Sequence, residues 1–199
     1  MKVKICGITG IGDADYAIKS GADFVGVILD PKIGRHGSQE LIREIKTKHP
    51  DSKIVGVYTS MPEQAGYEDY IQLHFIHSAA DVEFARERFH KNVISVIDFH
   101  EEHIREKIAS HIDAGAEYVL LEDRTGIAKR KEQLIEFPLS RIGIAGKIDS
   151  NNIGELLEIH PDLIDVSSSL EEYIGKKSYQ KMDIFFRKIG EYHVVRQNQ

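Results

Sequence analysis

The sequence has one cysteine, at position 6, so no disulfide can form within the chain, and an unpaired thiol fits a reducing cytoplasm. No window approaches the roughly 20 apolar residues of a membrane span, and the opening MKVKICGIT lacks the apolar core of a secretion signal. A cytoplasmic protein without a membrane partner is expected. Positive charge is not in excess: 26 Lys and Arg against 32 Asp and Glu give a net charge of −6, which disfavours nucleic acid as a partner. The densest basic stretch, Lys129-Arg130-Lys131, is short enough to read as a solvated helix face. No H-E-x-x-H motif and no paired Cys/His spacing points to a metal. No compositional shift or Pro/Gly/Ser linker divides the 199 residues, so one domain over 1–199 is expected, with Glu191–Gln199 as a polar tail that frays.

What the chain does have is an order. Short runs rich in Val and Ile recur at Val3–Cys6, Phe24–Ile28, Ile54–Tyr58, Tyr70–Leu73, Val93–Ile97, Tyr118–Leu121, Ile142–Ala145 and Leu163–Val166. They are apolar rather than alternating, as parallel strands buried on both faces are. Between them, helical spacing marks Asp13–Ser20, a segment opening at Ser38, and Ala79–Phe89, Glu101–Ala114, Ser150–Ile159 and Ser178–Gly190. The stretches around Pro62–Gly66 and Lys129–Phe137 read as short or irregular. Eight such strand–helix repeats in about 200 residues predict an α/β fold, a single (β/α)8 TIM barrel. An open doubly wound sheet would alternate in the same way, but Gly7-Ile8-Thr9-Gly10-Ile11-Gly12 lacks the Gly-x-Gly-x-x-Gly spacing of its dinucleotide turn.

In such a barrel, chemistry sits at the C-terminal strand ends. That rule selects Cys6, Asp30, Arg35, His74, Asp98, Glu122, Asp123, Gly146, Lys147 and Ser167-Ser168-Ser169. A thiol, carboxylates, an arginine and serines on one mouth make an acid–base site with an anion subsite. Each also has a structural reading. Cys6 fits a buried small hydrophobe as well as a reactive thiol, and His74 fits a hydrogen-bonded structural residue.

Specific strings then narrow the choice. Lys4-Ile5-Cys6-Gly7-Ile8-Thr9, Gly21-Ala22-Asp23-Phe24-Val25-Gly26, Val55-Gly56-Val57-Tyr58, Ile71-Gln72-Leu73-His74 and Asp165-Val166-Ser167-Ser168, with Glu171 and Gly175-Lys176-Lys177 after it, keep their order from residue 4 to about 186. Together they resemble the phosphoribosylanthranilate isomerase family. The resemblance implies a barrel enzyme of tryptophan biosynthesis, an aldose–ketose isomerase that performs a cofactor-free Amadori rearrangement on a small phosphorylated substrate, as a monomer or homodimer. It implies Cys6 as the base, Arg35, His74 and Asp165 near the substrate, and an acid at the end of strand 6. That position is Glu122, with Asp123 beside it.

The departures from the family pattern lie at the rim. The family's Gly-Gly-Thr-Gly loop after strand 6 is reduced here to Thr125-Gly126, its paired glycine after strand 7 is Gly146-Lys147, and a glycine after strand 8 is Ser169. Gly146, Lys147, Ser168 and Ser169 are the remaining phosphate-binding candidates. Two further readings follow from these changes. One is a related barrel acting on a different sugar or amino-sugar phosphate. The other is a non-catalytic ligand-binding paralogue, which predicts a mouth filled by Lys147 and Phe75.

Overall fold

The computed structural model describes residues 1–197. Its strands are β1 (Lys2–Cys6), β2 (Phe24–Ile28), β3 (Lys53–Tyr58), β4 (Tyr70–Leu73), β5 (Asn92–Asp98), β6 (Ala116–Glu122), β7 (Ile142–Ala145) and β8 (Leu163–Val166). All eight pair in parallel with their sequence neighbours, and β1 pairs with both β2 and β8, so the sheet closes into a barrel. Each predicted strand is present, extended by one or two residues at some ends.

Side-chain alternation divides the strands between two cores. Val3, Ile5, Val25, Ile54, Ile71, Val119, Ile144 and Ile164 point outward into the layer shared with the helices. Cys6, Phe24, Val55, Tyr70, Ile94, Leu120, Ala145 and Leu163 point into the barrel. The floor of the interior is aromatic: Phe24 meets Tyr70 edge-on at 5.1 Å and Tyr118 at 6.0 Å between ring centroids. Polar groups gather toward the opposite end.

The helices are α1 (Ile11–Ser20), α2 (Gln39–Lys48), α3 (Ala79–Phe89), α4 (Ile104–Asp113), α5 (Lys131–Leu134), α6 (Ile153–Leu157) and α7 (Tyr179–Gln197). α1 stops at Gly21, whose φ of 106° is a left-handed stop. Ser38 caps α2 by accepting from the Leu41 amide, and Leu41, Ile42 and Ile45 form its buried stripe. Residues 101–103 do not join α4, which starts after His103 in a left-handed conformation. α6 is half the predicted length.

No helix joins β3 to β4. Buried Glu68 holds that connection instead, accepting from Tyr58 Oη at 2.7 Å, the Gly66 amide at 3.0 Å and Gln39 Nε2 at 2.9 Å. One carboxylate ties the loop to both β3 and α2. The stretch from Glu191 expected to be a polar tail is helical through residue 197, within α7. Tyr192 packs against the core and against the His160 ring, which gives the last turns something to bury. Residues 198–199 of that expected tail lie outside the described residues. After β8 a hairpin absent from the sequence reading, β9 (Glu171–Tyr173) and β10 (Lys176–Lys177), turns back toward the barrel mouth.

Candidate active site

A cavity of about 480 Å³ opens at the C-terminal end of the barrel, a volume suited to a small organic ligand. Cys6, Arg35, His74, Glu122, Asp165, Gly146, Lys147, Ser168 and Ser169 all line it. Residues drawn from β1, β4, β6, β7, β8 and the loop after β2 thus converge on one space.

Cys6 is the last residue of β1, buried but reaching the cavity. Burial pushes its thiol above the usual range, and the Lys4 ammonium pulls it back; Asp165 pushes it further up, and Lys177 opposes. Two positions along β1 from Cys6, and therefore on the same inward face, Lys4 donates to both oxygens of Asp165 at 3.0 and 2.9 Å. Burial disfavours the Lys4 charge, but Asp165 and Cys6 outweigh it and hold Lys4 as a cation.

Glu122 and Asp123 are neighbours with opposite surroundings. Glu122 faces the cavity, its Oε2 3.3 Å from His74 Nε2 and 3.1 Å from Arg124 Nε. Burial raises its carboxyl, yet hydrogen bonding and charge from His74 and Arg124 prevail and hold it below the usual carboxylate range. Asp123 does not line the cavity. It is buried and accepts from the Thr125 amide and hydroxyl, each at 2.7 Å, and from Arg130 Nε at 2.8 Å. These partners overcome burial and keep it ionised far below its ordinary value. A side chain at Gly146 would fall 2.0 Å from the Asp123 carbonyl oxygen, so the β6 and β7 ends meet backbone to backbone.

Arg35 crosses the rim beneath Gly7, where an added Cβ would lie 2.7 Å from its Cδ. Its guanidinium is bidentate on Glu171, with Nε donating at 2.9 Å and Nη2 at 3.2 Å. After β7, Gly146 and Lys147 both have positive φ, 114° and 50°. Lys147 therefore occupies the left-handed conformation that a glycine would adopt with less strain. Ser169 Oγ donates to the Ile148 carbonyl, and Ser167 Oγ donates to the Cys6 carbonyl at 3.1 Å, which stitches the β8 loop to its neighbours.

Other candidates lie apart. Asp98 turns back to accept from the His100 amide at 2.8 Å. Asp30 accepts from Thr59 and from the Lys32 amide, beside a separate shallow pocket. Phe75 packs into the outer core and does not reach the mouth, so the expectation of a mouth filled by Lys147 and Phe75 is corrected: the cavity is open. The sequence reading missed Lys4, Lys177 and Arg124. For Lys4 a signal existed, since an inward-pointing lysine on a strand buried on both faces requires a counter-ion. Among the described residues, no group of three His, Cys, Asp or Glu side chains is arranged to hold a metal.

Cys6 and the strand-6 carboxylate Glu122 line one open mouth, and comparison with known proteins identifies the family. A family profile described as N-(5'phosphoribosyl)anthranilate (PRA) isomerase matches residues 3–188. The chain belongs to the PRA isomerase family. These are aldose–ketose isomerases of tryptophan biosynthesis. The chain is 39% identical over 193 residues to the N-(5'-phosphoribosyl)anthranilate isomerase of Thermoplasma volcanium, covering 95% of this chain and 96% of that one. The phosphoribosyl anthranilate isomerase structure from Thermus thermophilus superposes with a TM-score of 0.82 at 29% identity, covering 96% of this chain and 99% of that one. A PRA isomerase solved with reduced 1-(o-carboxyphenylamino)-1-deoxyribulose 5-phosphate superposes with a TM-score of 0.75 at 27% identity, with coverage of 96% and 99%. No helix among the described residues is long and apolar enough to cross a membrane.

Proposed function

We propose that the chain, as one cytoplasmic domain, converts N-(5'-phosphoribosyl)anthranilate to 1-(o-carboxyphenylamino)-1-deoxyribulose 5-phosphate at the C-terminal mouth, with Glu122 as acid and Cys6 as base. The observation that carries this reading is the convergence of Cys6 and Glu122 on one open cavity whose rim bears Lys147.

Glu122 gives a proton to the ribose ring oxygen while the anilino nitrogen lone pair breaks the C1–O bond, leaving an open-chain protonated Schiff base. Cys6 as thiolate removes the C2 proton, and the freed pair forms the C1=C2 bond of an enolamine. A proton shift from the C2 hydroxyl to C1 then gives the ketone. Proton exchange with solvent then returns Cys6 to thiolate and Glu122 to the acid, so the cycle closes without a cofactor.

Glu122 is restrained as a carboxylate by His74 and Arg124. A bound anion that draws Arg124 away removes one restraint, and burial then favours the protonated acid. Asp123 is spent on Arg130 and Thr125, which supports Glu122 as the proton donor. Lys147 offers a point charge to the substrate phosphate beside the backbone of Gly146, Ser168 and Ser169; Lys147 and Ser169 stand where the family has glycines. Arg35 and Asp165 flank the anthranilate end.

A direct isomerase assay tests the proposal. Wild-type protein should turn over PRA, and Cys6→Ser should lose about 100-fold or more in kcat, the scale of general-base catalysis. Folded wild-type protein inert toward PRA sinks it, and points to the reading in which a different sugar phosphate is the substrate.

A further inference from the structure

Two buried lysines lie about Cys6, and the mechanism above uses neither. Lys4 is fully buried inside the barrel. A Cβ added at Gly26 would sit 2.9 Å from Lys4 Nζ and 3.0 Å from Cys6 Sγ, so the ammonium and the sulfur share one glycine-lined face of β2. Lys177 is also buried, and burial lowers its hold on the proton while Glu171 and Cys6 oppose that loss. It arrives from β10, donating to the Ser167 carbonyl at 3.1 Å and to Glu171 Oε1 at 3.3 Å. Ser167 in turn donates to the Cys6 carbonyl, which brings Lys177 over the end of β1. Each lysine already has a carboxylate, Lys4 on Asp165 and Lys177 on Glu171. Neither cation is therefore an uncompensated charge in the interior.

We propose that Lys4 and Lys177 are positioning residues for Cys6, two fixed ammonium groups that stabilise its thiolate within the barrel mouth. The proposal rests on the reading of Cys6 as the base. A thiolate in a dry interior lacks hydration, and charges fixed nearby replace it at no reorganisation cost. The other charges facing this region are Asp165 on β8, Glu171 and Arg35 at the rim, Lys147 after β7, and the His74–Glu122 pair with Arg124 across the mouth. Asp165 works against the thiolate; the lysines work for it. Gly26 is required by the same geometry, because any side chain there would push both Lys4 Nζ and Cys6 Sγ aside.

The opposed signs make the test specific. Cys6 is the only thiol in the chain, so its alkylation by iodoacetamide, followed by mass spectrometry across pH, reports its ionisation without any turnover. Inactivity toward PRA therefore leaves this readout intact. Lys177→Met is the fold-safe variant, since Glu171 keeps its bidentate Arg35. Lys4→Met/Asp165→Asn removes both members of the inner pair together, leaving no orphaned charge.

Lys177→Met is expected to move the alkylation midpoint to higher pH and to lower the rate below that midpoint by on the order of tenfold, as a one-unit shift implies. Asp165→Asn alone should move the midpoint down. A change in access alone scales the rate equally at every pH and leaves the midpoint where it was. The proposal is overturned if Lys177→Met, shown to be folded by circular dichroism, keeps the wild-type midpoint, or if the double variant's midpoint is no higher than that of Asp165→Asn, the comparison that isolates Lys4. It is also overturned if Asp165→Asn shifts the midpoint in the same direction as Lys177→Met.

Discussion

His74 Nε2 lies 3.3 Å from Glu122 Oε2 across the barrel mouth, and among the groups that restrain this carboxylate His74 is the strongest. Cys6 is displaced the other way, upward, chiefly by burial. Base and acid therefore have their values in reversed order, and between them only a minor fraction of molecules holds a thiolate and a carboxylic acid together. Below the Glu122 value the acid is protonated but Cys6 is almost wholly thiol, so the low-pH limb of the rate profile follows Glu122. Replacing His74 by Asn releases Glu122 upward, and the low-pH limb of kcat/KM should move to higher pH. A pH–rate series on the two proteins checks this. An unmoved limb argues that Glu122 is not the acid.

The two adjacent carboxylates should separate function from stability. Glu122→Gln is expected to lose about 100-fold or more in kcat with little change in unfolding free energy. Asp123→Asn should weaken its buried contacts to Arg130 and Thr125 and cost about 2–3 kcal/mol, the scale of hydrogen bonds to a charged group. Urea unfolding alongside the isomerase assay distinguishes them. Equal effects on both readouts for both variants would contradict the geometry.

A buried chain of His111, Ser95 and His77 makes stability depend on pH. His77 Nδ1 faces the Phe75 carbonyl at 2.6 Å and so carries a proton, which leaves His77 Nε2 to accept from Ser95 Oγ at 2.9 Å. Ser95 Oγ then accepts from His111 Nδ1 at 2.6 Å. Both rings are neutral, and burial pushes His111 down to about 4 and His77 downward as well. Folded values below the unfolded one mean that the unfolded chain binds protons first. The His111 contribution is complete above about 6.5, the unfolded value, and is lost as pH falls toward 4, by about 3 kcal/mol in all. Urea unfolding at pH 7.0 and 5.0 should show a steeper loss for wild type than for His111→Gln. Parallel losses would show that the loss arises elsewhere.

Much of this was legible in the sequence, for reasons visible in individual residues. The strands showed because Val25, Ile54, Val119 and Ile164 are buried among other apolar groups, so composition alone marks them. Cys6, His74, Glu122 and Asp165 reached the mouth as expected because a strand end fixes where a side chain emerges, whereas Arg35 reaches it from the loop after β2, held by Glu171. Which of Glu122 and Asp123 faces inward was not legible, since it depends on Arg130 seven residues on. Lys177 was invisible because the β9–β10 hairpin that delivers it shows no alternation long enough to read. Nor did the loss of a glycine at Lys147 reveal that the backbone keeps the left-handed turn regardless.

The hairpin after β8 separates closing the wall from completing the site. Hydrogen bonding around the barrel is finished at Val166, the end of β8. At that length of chain Arg35 still lacks its carboxylate at Glu171, and Lys177 has not reached the end of β1. Because synthesis runs from the N-terminus, every residue of the barrel wall is made before Glu171 and Lys177, the groups that compensate Arg35 and reach the end of β1. Completion of the mouth thus belongs to residues that lie outside the wall and are made after it.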